Sequence, residues 1–510
     1  MKKLPIGIST FQKVIDGNYL YIDKTKEALD LIENYNYSFL SRPRRFGKSL
    51  FISTLKEIFE GNKKLFEGLY IYDKWDWEES YPVIKMSFGS SRGTKELEKR
   101  IFSLLKENQE RLDIECYDAD NYALCFRQII QESYKKYQKP VVILIDEYDK
   151  AILDNLDQME VAIECREILK QLYTEIKEND QYIKFAFLTG VSKFTKASIF
   201  SGLNNLEDIS MTPKFGDVCG YTQNDIETTF LSYLKGVDLE RLKLWYDGYN
   251  FLNSNLYNPF DILLFIKNDF HFKNYWFATG TPSFLIKLFK NGDYNLAEFD
   301  SMEVGKELID SFDIEHLSLE TIMFQSGYLT IKEVERLGNS VYYHLGYPNI
   351  EVKQSFNDYI LSNYFVQNNK KAKVQMALYR LLVKSDLRGL ETTIKSLFAS
   401  IAYNNFTGNS IENYEGFYAS VIYAYFAGAG FERIIAEDVT NDGRIDLTVI
   451  VENKVYIFEF KVNQKGALKQ IKDKNYHLQY QANYSDIYIV GVEFDSKKRN
   501  LLRYEWEKIK

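Results

Sequence analysis

The sequence predicts an α/β chain of two main parts, a parallel sheet interleaved with helices around a phosphate loop and, at the other end, an α/β domain around a hairpin. Three observations predict it. A short strand, Tyr37–Ser41, runs through Arg42-Pro-Arg-Arg-Phe-Gly-Lys-Ser49 into an amphipathic helix. A continuous apolar strand of the kind buried in a parallel sheet, Val141–Ile145, ends in Asp146-Glu147. Near residue 450, the β-branched and aromatic runs Ile445–Ile450 and Val455–Val462 flank the turn Glu452-Asn453-Lys454.

Taken in chain order, Tyr21-Ile-Asp-Lys-Thr25 precedes the loop strand, where Asp23 reads as the cap of a helix and Lys24 or Thr25 as a contact for a nucleotide base. In the loop, backbone N–H groups at the helix start cradle phosphates, Lys48 reaches the β- and γ-phosphates, and the Ser49 hydroxyl ligates Mg²⁺. A complete Gly-x4-Gly-Lys-Ser would have glycine at position 42, where this chain has arginine. Beside the loop, Asp146 would hold Mg²⁺ through water and Glu147 would polarise an attacking water. A further strand, Ile183–Leu188, leads to Thr189-Gly190. Strands alternating with helices imply a doubly wound sheet with ligand at the carboxyl ends of its strands.

In the second hairpin strand, residues two apart share a face, so Glu459 and Lys461 point one way and Phe458, Phe460 and Val462 the other. Asp446 on the neighbouring strand reaches the same spot. Two carboxylates and the Phe460 carbonyl make an oxygen-only site suited to Mg²⁺ or Mn²⁺, and the lysine orients a water or stabilises a pentavalent phosphate. The plain alternative is a solvated outer face of an antiparallel hairpin.

Gly443-Arg444-x-Asp446, with Ala467-Leu468-Lys469-Gln470-Ile471 opening a helix beyond Lys461, resembles the PD-(D/E)XK nuclease superfamily. The run from Glu415 through Tyr425 is similar to the helix that carries that superfamily's first acidic residue, although Glu437 could fill that role instead of Glu415. Tyr21-Ile-Asp-Lys-Thr25, Arg42-Pro-Arg-Arg-Phe-Gly-Lys-Ser-Leu50, Ile145-Asp-Glu-Tyr-Asp149, Thr189-Gly-Val191, Trp245-Tyr-Asp-Gly-Tyr-Asn-Phe251 and Tyr257-Asn-Pro259 together resemble the bacterial AAA-ATPase-like family. In that family an arginine at position 42 is usual. The resemblance implies an AAA-like core with a helical lid and a restriction-endonuclease-like domain. It implies ATP on Arg44, Arg45, Phe46, Gly47, Lys48, Ser49, Leu50, Asp146 and Thr189, with Thr189 as a residue that senses the γ-phosphate. Metal falls to Ser49 and Asp146 in one site and to Asp446, Glu459 and Phe460 in the other, and catalysis to Glu147, Asp446, Glu459, Lys461 and Glu415.

Composition agrees. The 510 residues suffice for two or three domains, and 45% hydrophobic content with 39 Tyr and 36 Phe fills their cores. Cys116, Cys125, Cys165 and Cys219 have no Cys-x-x-Cys spacing and histidines number four, which argues against a disulfide framework or zinc site and for reduced, mostly buried thiols. Met-Lys-Lys is followed by no apolar stretch, and Ser420–Phe431 is too short to cross a bilayer, so the expectation is a cytoplasmic protein without membrane contact. A net charge of −8 argues against general nucleic-acid stickiness. Local basic clusters are Lys461, Lys465, Lys469, Lys472 and Lys474, and Arg42, Arg44, Arg45 and Lys48.

We read 1–210 as the ATPase core, 211–345 as the lid, 346–400 as a helical connector and 401–510 as the nuclease domain. From Gln354 to Ser400 the sole glycine is Gly389, so no flexible linker is expected. In the lid motif the aromatics read as packing, and Asp247 and Asn258 as the polar members of interest. The expected function is a nuclease under ATP control, with ATP and nucleic acid, DNA ahead of RNA, as partners. The second reading is a nucleotide-dependent binding switch whose nuclease-like fold does not cut. An AAA-type homo-oligomer would need an arginine from a neighbour, and Arg44, Arg45, Arg166 and Arg241 are all open for it.

Overall fold

Every residue of Val141–Asp146 is buried, as a strand paired on both edges and covered on both faces requires. The structure, a computed structural model, describes residues 1–510 apart from 118–119, 194–198, 200–202, 204, 278–284, 286–295, 311–317, 363–367, 402–414, 432 and 441–442, and apart from the side chains at 310, 368–370, 415 and 439. The chain divides into two compact units, Met1–Thr279 with Gly305–Lys332 and Arg336–Val341, and Gly280–Val304 with Glu333–Glu335 and Tyr342–Lys510.

In the first unit, β1 (Tyr37–Ser41), β2 (Val83–Ser87), β3 (Val141–Asp146), β4 (Ile183–Gly190) and β5 (Glu207–Asp208) form one sheet in the order β2-β3-β4-β1-β5. All its pairings are parallel, as predicted. The order brings the carboxyl ends together: Ser41 pairs with Gly190 and Ser87 with Asp146. Helix Lys48–Phe59 follows β1 and buries Phe51, Ile52, Leu55, Ile58 and Phe59. Phe51 packs edge-on to Phe187 of β4, and Phe59 packs on Phe185. The helix starts at Gly47, whose φ of 103° is a left-handed conformation that glycine adopts without penalty.

Three short strands, β6 (Tyr221–Thr222), β7 (Tyr249–Asn250) and β8 (Asn255–Tyr257), pair antiparallel in the order β6-β8-β7. Helices Leu239–Tyr246 and Pro259–Lys267 contribute Leu242, Tyr246, Ile262 and Phe265 to a common core on which Trp245 packs, so the aromatics at 245 and 246 do act in packing. β9 (Met302–Gly305), β10 (Thr330–Leu337) and β11 (Ser340–Gly346) lie where the two units alternate along the chain.

One expectation is corrected here. Cys116 and Cys125 are joined in a disulfide, whereas Cys165 and Cys219 are free, buried thiols. After helix Thr94–Leu112, Asp113 takes a left-handed turn (φ 51°) that brings Cys116 to a Cα–Cα distance of 5.3 Å from Cys125, inside the span a disulfide bridges. Gln109 fastens both ends, accepting from the Cys116 N–H and donating to the Cys125 sulfur. A search for Cys-x-x-Cys misses a pair that the backbone brings together nine positions apart.

In the second unit, β12 (Arg433–Thr440), β13 (Gly443–Val451), β14 (Lys454–Val462), β15 (Asp486–Asp495) and β16 (Asn500–Lys508) form a sheet in sequence order. β13 and β14 are the predicted hairpin, with Glu452 at a φ of 53° in its turn. β14 and β15 run parallel, connected through helix Ala467–Asp473; the other pairings are antiparallel. That helix lies directly on the sheet at Gly491, where a Cβ would stand 2.3 Å from the Leu468 nitrogen. Helix Glu415–Ala427 occupies the run predicted for it, with Val421 through Ala427 buried. Among the described residues no helix is long and apolar enough to cross a membrane.

Candidate functional site

The loop between β1 and its helix opens into a cleft of about 400 Å³ lined by Arg44, Arg45, Gly47, Lys48, Ser49, Leu50, Glu147 and Lys150. Space above Gly47 is open, with no heavy atom within 4 Å of a Cβ placed there. The Lys48 ammonium bonds the carbonyls of Arg42 and Pro43 at 2.9 and 3.0 Å. Burial lowers its pKa, and the charges of Asp146 and Glu147 oppose that shift. Glu147, at a φ of 55°, is held above the usual carboxylate range by burial and then by Asp146, with Lys48 acting the other way. Oxygen donors at Ser49 and Asp146 next to a lysine and an open glycine loop fit a magnesium nucleotide.

Thr189 is completely buried and donates its hydroxyl to Asp146 Oδ1 at 2.8 Å. Read from sequence as a sensor of the γ-phosphate, it acts here on the acid assigned to magnesium. Asp149 accepts from the Val191 and Ser192 N–H groups and from the Ser192 hydroxyl, tying the end of β4 to the loop after β3. Gly190 must be glycine, because a Cβ would meet the Tyr148 ring at 2.5 Å.

Arg42 is corrected in position. Its guanidinium does not join the phosphate-facing cations; it is 1% exposed, donates to the carbonyls of Ser41, Ser210, Phe215 and Gly216, and lies 4.0 Å from the centre of the Phe251 ring. Residues from the later motifs also hold the loop. Asn258 and the Trp276 indole both donate to the Arg44 carbonyl, at 3.3 and 3.1 Å, and Tyr249 and Phe251 pack edge-on to Phe46. Asn258 also caps helix Pro259–Lys267. Asp247 is 4% exposed and raised by burial, so it serves the interior of the unit and not the cleft. At the N-terminal motif Lys24, not Asp23, occupies the cap position of helix Thr25–Asn34; Asp23, one residue before it, accepts from the Thr25 N–H and hydroxyl. Lys24 pairs with Asp225 at 3.8 Å and borders a mostly apolar recess of about 70 Å³ beside Gly47.

In the C-terminal sheet, Asp446, Glu459 and Lys461 converge as the strand spacing requires. Asp446 Oδ2 accepts from the Phe460 N–H at 2.6 Å, and Lys461 Nζ stands 3.4 Å from Glu459 Oε1, a carboxylate only 1% exposed. The register Ala436↔Leu447 and Asp438↔Ile445 puts Glu437 across from Asp446, where it pairs with Arg444 at 3.4 Å. Glu415 begins its helix, and its side chain lies outside the described residues. Among the described residues no group of three or more His, Cys, Asp or Glu gathers as a metal site. Asp446 and Glu459 with the neighbouring Phe460 backbone offer oxygen atoms only, a hard set of the kind that suits Mg²⁺ or Mn²⁺.

Two residues at this site were missed. Gln470, from helix Ala467–Asp473, donates to Glu459 Oε1. The Tyr476 hydroxyl is raised first by burial and also by the charges of Glu459 and Asp446, and a Cβ at Gly443 would stand 2.8 Å from it. Gln470 was in view as part of the helix-opening segment, yet nothing in its spacing says that it faces Glu459. Of the flanking lysines, Lys472 pairs with Glu507 and Lys469 with Asp473.

The chain is similar to known proteins along its whole length. Residues 5–200 match a family described as predicted AAA-ATPase, and residues 413–504 match the PD-(D/E)XK nuclease superfamily. An uncharacterized protein in the vnfD 5′ region of Azotobacter chroococcum mcd 1 is 44% identical over 515 residues, covering 100% of this chain and 99% of that protein. The chain belongs to the AAA-ATPase-like family. The predicted AAA-ATPase match spans the loop from Arg42 to Ser49 and Asp146-Glu147, and the PD-(D/E)XK match spans Asp446, Glu459 and Lys461. No solved structure matches this AAA-ATPase-like protein.

Proposed function

We propose that the protein binds and hydrolyses ATP at the phosphate loop and cleaves nucleic acid phosphodiesters at the C-terminal site, with nucleotide state controlling cleavage. The observation that carries the proposal is the convergence of Asp446, Glu459 and Lys461 from two neighbouring strands in a chain that also holds Lys48, Ser49 and Glu147 around one cleft. In this reading Lys48 holds the β- and γ-phosphates, Ser49 and Asp146 hold magnesium, and Thr189 fixes Asp146. Glu147, whose pKa is raised by burial and by Asp146, accepts the proton of the attacking water. The recess beside Gly47, bordered by Leu20, Ile22 and Lys24, takes the base. At the second site Asp446, Glu459 and the Phe460 carbonyl would hold Mg²⁺ or Mn²⁺, whose chemistry there would be Lewis-acid polarisation of phosphate and water, while Lys461 steadies the charge and Gln470 orients Glu459. DNA is the proposed substrate, in the cytoplasm.

The test is cleavage of plasmid DNA with Mg²⁺ or Mn²⁺, with and without ATP, by the wild type, Asp446→Ala and Lys48→Ala. Nicking should require Asp446 and respond to ATP only when Lys48 is present. Cleavage that survives Asp446→Ala in a pure preparation refutes the assignment, and no cutting in any nucleotide state leaves the non-cutting switch as the better account.

A further inference from the structure

We infer that the arginine needed for ATP hydrolysis is supplied in cis by the phosphate loop itself, as Arg45. The inference rests on the ATPase reading above. Hydrolysis of a γ-phosphate spreads negative charge over its equatorial oxygens, and an arginine placed on them is worth ~10³- to 10⁵-fold in rate. Ring-forming ATPases borrow that residue from a neighbouring subunit. Here the cleft already contains it.

Arg45 lines the cleft together with Lys48, Ser49 and Glu147. Its backbone is held at a φ of 68°, a conformation that non-glycine residues keep only where surroundings enforce it. The enforcement is visible on both sides. Before it, the Arg44 carbonyl is gripped by Asn258 and the Trp276 indole; after it, the Phe46 carbonyl accepts from the Gly220 N–H. The guanidinium itself is placed 5.0 Å from the centre of the Phe260 ring, a stacking surface that orients an arginine without neutralising it. Among the described residues no carboxylate lies within ion-pair distance of Arg45, so its charge is available to a polyanion.

Arg44 lines the same cleft, and Arg45 is distinguished from it by the enforced left-handed backbone and the Phe260 ring; the remaining arginines are committed elsewhere. Arg42 is buried on four carbonyls, Arg166 pairs with Glu167 at 2.9 Å, and Arg241 stacks on Phe272 at 4.4 Å. Neither Arg166 nor Arg241 lines the cleft. In the step assigned to Arg45, water attacks the γ-phosphorus and its proton passes to the Glu147 carboxylate. The bond from phosphorus to the β,γ-bridging oxygen breaks, and its electron pair leaves with ADP. Arg45 balances the charge on the transferring group and takes no proton.

The experiment compares wild type, Arg45→Ala and Arg45→Lys. Equilibrium binding of ADP and of ADP with aluminium fluoride, a mimic of the transferring group, is measured alongside hydrolysis. The expected result is ADP affinity within about threefold of wild type, which also reports an intact loop, with aluminium fluoride complex affinity and turnover both lowered by ~10²-fold or more, and Arg45→Lys rescuing little. Turnover per chain should be independent of protein concentration. A mixture of Arg45→Ala with Lys48→Ala should stay inactive, because neither chain holds a complete site. Recovery of hydrolysis in that mixture, or wild-type affinity of Arg45→Ala for the aluminium fluoride complex, overturns the inference while leaving the ATPase reading intact. Wild-type protein that binds no nucleotide overturns both.

Discussion

At the phosphate-loop cleft, the buried Asp146 ends one strand and Glu147 follows it into the cleft, which Lys48 lines from another element together with Arg44, Arg45 and Lys150. In the C-terminal sheet, Asp446 and Glu459 come from adjacent strands, and Lys461 stands beside Glu459 on the same strand. Both sites pair two acids with a lysine, so that inventory cannot tell them apart. Their surroundings do. A loop that meets a polyphosphate directly needs surplus cations and open backbone, whereas a site that meets phosphate through a metal needs surplus acid and a packed frame. The first is framed by glycine and left-handed backbone, the second by an aromatic hydroxyl and an amide from a helix pressed onto the sheet.

The sharpest way to break this comparison is reciprocal mutation. Asp446→Ala should take DNA cleavage below detection and leave ATP turnover unchanged, and Lys48→Ala should do the reverse to turnover, both read on the same preparations. Loss of ATP turnover in Asp446→Ala would mean that the nucleotide site depends on the C-terminal one. Next in size, Gln470→Ala should weaken Mn²⁺ binding by ~10- to 100-fold, as the loss of a partner that orients a metal ligand does, measured by calorimetry. Unchanged affinity would remove Gln470 from the site.

The frames themselves are tested by adding one methyl group to each. Gly190→Ala drives a Cβ into the Tyr148 ring, and Gly491→Ala drives one into the Leu468 backbone. Each should cost about 1–3 kcal/mol in urea unfolding. Gly491→Ala should in addition reduce cleavage, because its displacement falls on the helix that carries Gln470. The smallest effect is in pH. In the proposed role Glu147 would accept a proton only when ionised, and burial holds its pKa above the ordinary carboxylate value of ~4.3. ATP turnover should therefore fall as pH drops through a midpoint above that value, with Glu147→Gln removing the dependence along with most of the rate.

Much of the frame was legible because it is local. Tyr37–Ser41 and Val455–Val462 declare themselves by composition, and Gly47 marks the helix start by the backbone it permits. Asp446, Glu459 and Lys461 could be grouped because a strand alternates faces and a hairpin joins neighbours. What escaped depends on partners remote in sequence or on the rotation of a helix. The Arg42 guanidinium reaches four carbonyls, the Cys116–Cys125 bridge depends on a left-handed residue at 113, and Gln470 reaches Glu459 through the pitch of a short helix on Gly491. Asn258 was singled out as polar, but its hold on the Arg44 carbonyl across 214 positions has no local signature.

Arg42 also sets an order of events during synthesis. The carbonyls that receive its guanidinium outside its own neighbourhood belong to residues 168 to 174 positions later. At ribosomal speeds of ~5–20 residues per second, roughly 10–35 s separate the making of the loop from the arrival of Gly216. Until then a nascent chain can hold β1 and its helix but must leave a long cation without its acceptors, so a nucleotide should find a finished loop only after the segment beyond β5 has emerged.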